Sequence, residues 1–259
     1  MILRVVFPRA VRSFSHALVR SHLARVLVVL GILVAFSGCA TTGGGSRSRG
    51  DAPGVLYLAR HGQTAWNRVA RFQGDPDLDQ VGYLNRLSLW LLLKDIPLQT
   101  IFTSTKRRTQ RTAALVAKQQ KLPIFPRAAL DEIASGVLEG ICYQYMQPDT
   151  HKPGAKDCDV PARGGRPALA KKAVARIWAK VQSKGLQGRV PLGENYGDMI
   201  VRLKPFIPEL KEALARGNVL AVGHGVINRV LLHVLFGWPL KTVYKIHQEN
   251  DQVYRIAGL

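Results

Sequence analysis

Val55-Leu56-Tyr57-Leu58-Ala59 runs straight into Arg60-His61-Gly62. A short, continuously apolar run that stops at a charged, glycine-containing turn reads as a strand buried on both faces. The arrangement recurs near the other end of the chain, where Val219-Leu220-Ala221-Val222 leads into Gly223-His224-Gly225. Between them lie two weaker strand candidates, Thr100–Thr103 and Pro123–Phe125, and Gln252–Ile256 reads as a closing edge strand. Helical patterning falls at Tyr83–Lys94, Lys106–Gln120, Ala168–Ser183 and Tyr196–Arg216, then from Gly225 through Phe236. In the second of these, Ala113, Ala114, Val116 and Ala117 supply the apolar side. Short apolar strands alternating with helices predict an α/β fold: a three-layer sandwich with a mostly parallel central sheet and helices on both faces. His61 and His224 then fall just past the carboxyl ends of two strands, the rim where open α/β sheets bind ligands.

The chain has 259 residues, 47% of them hydrophobic and 21% charged, the balance of a globular protein rather than a disordered one. No fixed-period repeat is present, which excludes solenoids and propellers. The formal net charge is +20. Such an excess draws anions towards the surface. The basic residues are scattered, however, and no aromatic-interleaved basic stripe points to a specific nucleic-acid partner.

The front of the chain reads as an address. Arg4, Arg9, Arg12, Arg20 and Arg25, with no acid, precede an apolar run from Val26 to Phe36. That run is too short to cross roughly 30 Å of hydrocarbon, which takes about twenty helical residues. A charged start, a short apolar core and the small residues Ser37-Gly38-Cys39-Ala40 compose a secretory signal. The Phe36-Ser37-Gly38-Cys39 stretch resembles the lipobox of bacterial lipoproteins, in which the cysteine is acylated and becomes the new N-terminus. Phe36 departs from the usual leucine. The resemblance implies a signal peptide over residues 1–38, a Gly/Ser-rich tether over 39–53, and a domain over 54–259. Ala40 after the cysteine implies the periplasmic face of the outer membrane in a bacterial cell envelope, with the membrane as a partner through the lipid. An uncleaved signal-anchor is the alternative. Export would place the domain in an oxidising compartment, where Cys142 and Cys158 have the opportunity to pair; the sequence leaves their pairing open, as it does the oligomeric state.

Singly, Arg60, His61 or Arg108 would mean little. Together and in order, the blocks around them resemble the histidine phosphatase superfamily, the phosphoglycerate mutase-like family with its Arg-His-Gly motif. Leu58 through Asn67 is similar to the signature block, and Phe72-Gln73-Gly74 with Asp77, Leu78 and Gly82 to the next. Thr103-Ser104, Arg108 and Thr112-Ala113 resemble the block that supplies a second phosphate-binding arginine. Leu130-Asp131-Glu132-Ile133 with Gly136 and Glu139-Gly140 resembles the block of the proton donor, and Gly193-Glu194-Asn195-Tyr196 a later one. Val222-Gly223-His224-Gly225 resembles the last, with glycine where serine is commoner. Of three neighbouring arginines, Arg107, Arg108 and Arg111, the register of Thr112-Ala113 selects Arg108.

The resemblance implies a phosphoric monoester hydrolase with a phosphorylated small-molecule substrate. Arg60 and Arg108 would hold phosphate oxygens, since guanidinium forks match them and stay charged. His61 would be the nucleophile, His224 would steady the moving phosphoryl group, and Glu132 would be the general acid and base. Asn67, Gln73 and Gly74 would make lesser substrate contacts. No cofactor is implied, and no HExxH or CxxC pattern offers a metal site. His16, His22, His151, His233 and His247 have no supporting pattern and are read as structural or incidental. A phosphoglycerate-mutase-like phosphotransferase and a non-catalytic phosphate-binding lipoprotein remain as alternatives. The short domain, of about 205 residues, favours the phosphatase, because a mutase must shield its phosphohistidine from water, usually under a longer insertion.

Overall fold

A computed structural model describes residues 2–6, 53–146 and 171–259. Cys39, nearly all of the tether, Cys158 and most of the 142–166 loop lie outside the described residues. In chain order the elements are β1 (Ile2–Val6), β2 (Leu56–Arg60), a short α1 (Ala65–Arg68), α2 (Gln80–Leu93), β3 (Leu98–Thr103), α3 (Arg107–Gln120) and β4 (Ile124–Pro126). They continue with α4 (Lys171–Ser183), α5 (Tyr196–Leu203), α6 (Phe206–Arg216), β5 (Asn218–Gly223), α7 (Gly225–Phe236), α8 (Leu240–Val243) and β6 (Gln252–Ile256).

The strands form one sheet in the order β1-β6-β2-β5-β3-β4. The β2–β5, β5–β3 and β3–β4 pairs are parallel, while β6 runs antiparallel to both β2 and β1. This is the expected mostly parallel α/β sheet. Its alternation divides the core in two. Leu56, Leu58, Phe102, Val219, Ala221, Tyr254 and Ile256 face α5, α6 and α7, packing on Met199, Leu210 and Ile227. Tyr57, Ala59, Ile101, Leu220, Val222 and Val253 face α2 and α3, packing on Leu89, Leu93, Ala113 and Val116. Leu98 shares the second face with Ile101 although the two are three residues apart. A register shift between Leu98 and Thr100 makes this possible by taking up one residue of the alternation. Each fully buried aliphatic contributes roughly 1.5–3 kcal/mol.

One expectation needs correction. The pattern over Tyr196–Arg216 is not one helix: α5 ends at Leu203 and α6 begins at Phe206. Pro205 lies at the break, with no N–H to continue the ladder, and Pro208 is tolerated because it falls in the first turn of α6. Residues Ile2–Val6 form an edge strand paired with β6 from Ile2↔Ile256 to Val6↔Gln252. Among the described residues no helix is long and apolar enough to cross a membrane.

Candidate active site

The site lies at the carboxyl ends of β2, β5 and β3. Arg60 pairs with Gly223 across β2 and β5, so the next residue of each strand, His61 and His224, leaves the sheet side by side. The His61 N–H donates to the Gly223 carbonyl at 3.0 Å, and the imidazole centroids are 5.0 Å apart. Both rings are buried. Gly62 turns the chain where a Cβ would come within 2.6 Å of the Gly82 carbonyl oxygen, so α2 packs backbone to backbone on this turn. The Gly62 N–H donates to Thr112 Oγ1, which donates in turn to the Arg108 carbonyl. Thr112, used in the sequence only to set a register, thus ties the His61 turn to the helix that carries Arg108.

The tautomer of His61 follows from one bond. Nδ1 is 2.7 Å from the Gly62 carbonyl oxygen, which can only accept, so Nδ1 carries the proton and Nε2 the lone pair. Burial holds the imidazole well below the ordinary histidine range, and the charges of Arg108 and Arg60 push the same way against the opposing Gly62 bond. A neutral ring with a free Nε2 is the state a nitrogen nucleophile needs. His224 is depressed by burial first, then by Arg108, His61 and Arg60. Its Nε2 is 2.7 Å from Ser104 Oγ.

Of the three neighbouring arginines, Arg108 is fully buried, whereas Arg107 and Arg111 are exposed and face Asp75 and Asp77. Arg108 Nη1 donates to the Gly74 carbonyl at 2.5 Å, and burial brings its guanidinium down to about 10. Arg60 Nη1 donates to the Gln248 carbonyl, and burial lowers this arginine too, against the charges of Glu132 and Glu249. Arg60 Nε, Arg108 Nε and Nη2, and His224 Nδ1 are buried with no hydrogen-bond partner among the described residues. Buried polar groups are almost always paired. Three guanidinium nitrogens and an imidazole nitrogen without protein acceptors suit an oxyanion with several acceptor oxygens. Among the described residues no group of three or more His, Cys, Asp or Glu is placed to hold a metal ion.

Glu132 stands on an irregular segment. Its carboxyl oxygens accept the N–H groups of Val226 and Ile227 in the first turn of α7, each at 3.2 Å, and that of Ile133 at 3.0 Å. A helix N-terminus is a suitable partner for a carboxylate. Gly225 leaves room here: a Cβ would lie 3.7 Å from the Arg60 guanidinium carbon and 4.0 Å from Glu132 Oε2.

The lesser contacts look different. Asn67 Oδ1 accepts from the Thr64 N–H and hydroxyl, closing a capping box at α1. Gln73 bonds Thr64 Oγ1 and the Arg71 carbonyl. These two shape the loop, while Gly74 reaches the site through its carbonyl on Arg108. The glycine at 223 has its own reason: a Cβ there would come within 2.2 Å of Asn228 Oδ1. Asn228 occupies that space and bonds the Ala59 carbonyl and Gln248.

Sequence reasoning missed Ser104 as a partner of His224, and it missed Tyr143. The latter opens a 3-10 turn, Tyr143–Met146, with its ring against Phe72 at 4.5 Å. The residue is 40% exposed, yet its phenol is pushed up to about 12, by partial desolvation and then by the Glu132 charge, with Arg60 and Arg108 opposing. Cys142 just before it is buried and disulfide-bonded.

Residues 56–168 and 151–258 match the model of the histidine phosphatase superfamily, branch 1, and the chain belongs to that superfamily. It is 33% identical over 198 residues to a 2,3-bisphosphoglycerate-dependent phosphoglycerate mutase of Methylobacterium sp. (strain 4-46), covering 73% of this chain and 84% of the relative. It is 31% identical to a 6-phosphofructo-2-kinase/fructose-2,6-bisphosphatase of Caenorhabditis elegans, covering 73% of this chain and only 35% of that longer protein. Among solved structures, Bacillus stearothermophilus YhfR is 26% identical with a TM-score of 0.56, covering 75% of this chain and 85% of its own. The alpha-ribazole phosphatase of Shigella flexneri shares the fold at 21% identity and a TM-score of 0.61, covering 79% and 95%. A mutase matched over 84% of its length removes the argument from domain size: length does not separate mutase from phosphatase here.

Proposed function

We propose that the chain is a metal-independent phosphomonoesterase working through a phosphohistidine on His61. The observation that carries this reading is the convergence of buried, unpartnered Arg60, Arg108 and His224 nitrogens beside an imidazole whose Nε2 lone pair is free. In the first step His61 Nε2 bonds to phosphorus as the ester P–O bond breaks, and Glu132 in its acid form gives its proton to the leaving oxygen. In the second, Glu132 as carboxylate takes a proton from water. The water oxygen bonds to phosphorus, the N–P bond breaks, and inorganic phosphate leaves. Charge stabilisation falls to Arg60 and Arg108, so the step needs no metal.

The test is phosphate release by the purified enzyme from a panel of phosphomonoesters with EDTA present, beside His61→Ala. Wild-type turnover with an acid-labile phosphoenzyme, both lost on the order of 10⁴-fold or more in the variant, is the expected result. Full activity in the variant refutes the nucleophile. The similarity to a phosphoglycerate mutase favours a second reading, phosphotransfer between substrate positions. Isomerisation of a phosphoglycerate without phosphate release would select it. Phosphate binding by a folded protein with no turnover would leave a binding lipoprotein.

Location belongs to the same proposal. Cys39 would be acylated, with residues 1–38 removed and the tether holding the domain at the periplasmic face of a bacterial outer membrane. The disulfide at Cys142 supports an oxidising compartment. Cys39→Ser should release the protein from membranes, and persistent association would mean an uncleaved anchor.

A further inference from the structure

Glu132 must stand where its proton can reach the departing oxygen, yet it lies on a stretch with no regular structure between Asp131 and Ser135. What fixes that stretch comes from elsewhere in the chain. Arg202, near the end of α5, donates from Nη1 to the carbonyls of Ala128 and Ala129 at 2.8 and 2.9 Å, and from Nη2 to that of Asp131 at 3.1 Å. Its remaining two N–H groups bind both carboxyl oxygens of Glu194, at 2.9 Å from Nε and 3.0 Å from Nη2. All five donors of the guanidinium are used.

Glu194 then closes the other side. Its Oε2 accepts the Ala134 N–H at 2.9 Å, and its own N–H donates to the Ala134 carbonyl at 2.9 Å. The chain is therefore gripped at Asp131 and at Ala134, one residue before Glu132 and two after it. Both side chains are about four-fifths buried, at 20% and 22% exposed, so the pair is not a mobile surface contact. The bonds that Glu132 itself makes to α7 are long, at 3.2 Å. Position is set more by the grip on the backbone than by the carboxyl group's own partners.

From this we infer that Glu194 and Arg202 are positioning residues that place the carboxyl of Glu132 against the scissile P–O bond. The inference rests on the proposed phosphatase chemistry. Neither residue touches substrate. Loosening the grip would leave phosphate binding and the His61 attack intact while degrading proton delivery, and misplacement of a catalytic group by about 1 Å can cost on the order of 10²-fold.

The experiment compares Glu194→Gln and Arg202→Lys with wild type in kcat/KM, which isolates transfer to His61, on p-nitrophenyl phosphate and on glycerol 2-phosphate. The nitrophenolate leaves without help, while the alkoxide needs a proton. Glu194→Gln should lose about tenfold or more on the alkyl ester beyond any loss on the aryl ester. Arg202→Lys should fall the same way, because an ammonium cannot span five acceptors. Equal losses on both esters would overturn the inference. Amide exchange at Ala134, faster in Glu194→Gln than in wild type, gives a readout independent of turnover. Unchanged exchange overturns the clamp, even should wild type show no His61-dependent activity and the phosphatase reading itself fail. A Glu194→Gln protein that does not fold passes the test to Arg202→Lys, which keeps the charge.

Discussion

The two sides of the site are built from different materials. On the phosphate side, Arg60, His61 and His224 follow the ends of adjacent strands, and Arg108 sits in the first turn of a helix leaving a third. Strand register places Arg60, His61 and His224, and the helix carries Arg108. Elsewhere around the site, Glu132 stands on irregular chain held by a side-chain clamp, and Tyr143 on a 3-10 turn held by a ring contact. The first kind of support conserves geometry across changes of surroundings, because moving one residue means moving the core. The second can be re-cut residue by residue, which is where specificity can change without loss of the reaction.

Four measurements would break or sharpen this contrast. Arg108→Ala should reduce kcat/KM on the order of 10²–10³-fold, by a similar factor on every ester, because phosphate is common to all. A loss confined to some substrates would place Arg108 on the wrong side. Glu132→Gln should cost about 10²-fold on alkyl esters and far less on p-nitrophenyl phosphate; equal losses would remove its general-acid role.

The third is a pH effect on the core side. His61 and His224 are both held below the ordinary histidine range in the folded protein, so the unfolded chain binds more protons as the pH drops. Their neutral burial is tolerated without penalty above the unfolded value, near 6.5. Stability is lost below it, until the folded groups protonate. Each histidine should contribute up to about 1.4 kcal/mol per pH unit in that window. Denaturant unfolding between pH 7 and 5 reads the slope, and His224→Ala should flatten it. Smallest is Tyr143→Ala, expected to change KM by a few-fold, and unevenly between esters. A uniform change in kcat instead would assign Tyr143 to the chemistry.

The same contrast explains what could be read in the sequence. Val55–Ala59 and Val219–Val222 announce themselves, since a strand covered on both faces must be apolar throughout, and the histidines after them inherit that clarity. Arg108 could be chosen over its neighbours because Thr112 marks the helix face that turns inward. The break at Pro205 was legible too, yet the apolar spacing on either side of it outweighed the proline. Tyr143, by contrast, gives no signal: it sits in a loop rich in polar residues, and only the fold brings its ring to Phe72. Asn67 and Gln73 show the reverse. Their types suit a ligand; their oxygens bond Thr64, whereas a phosphate would draw on the amide N–H groups. A polar side chain near a motif cannot declare whether it serves the ligand or the loop until the competing partners are in view.

The strand made by Ile2–Val6 bears on the order of events in the cell. If Cys39 becomes the N-terminus, the finished protein lacks this strand, and the outer edge of Gln252–Ile256 is uncovered. Ile2–Val6, however, is a segment able to dock on the domain's own sheet. Under the proposed export, a leader zipped onto the domain would be withheld from the export machinery, so targeting and folding would compete for the same five residues, and a slower-forming sheet would leave more chains to be exported.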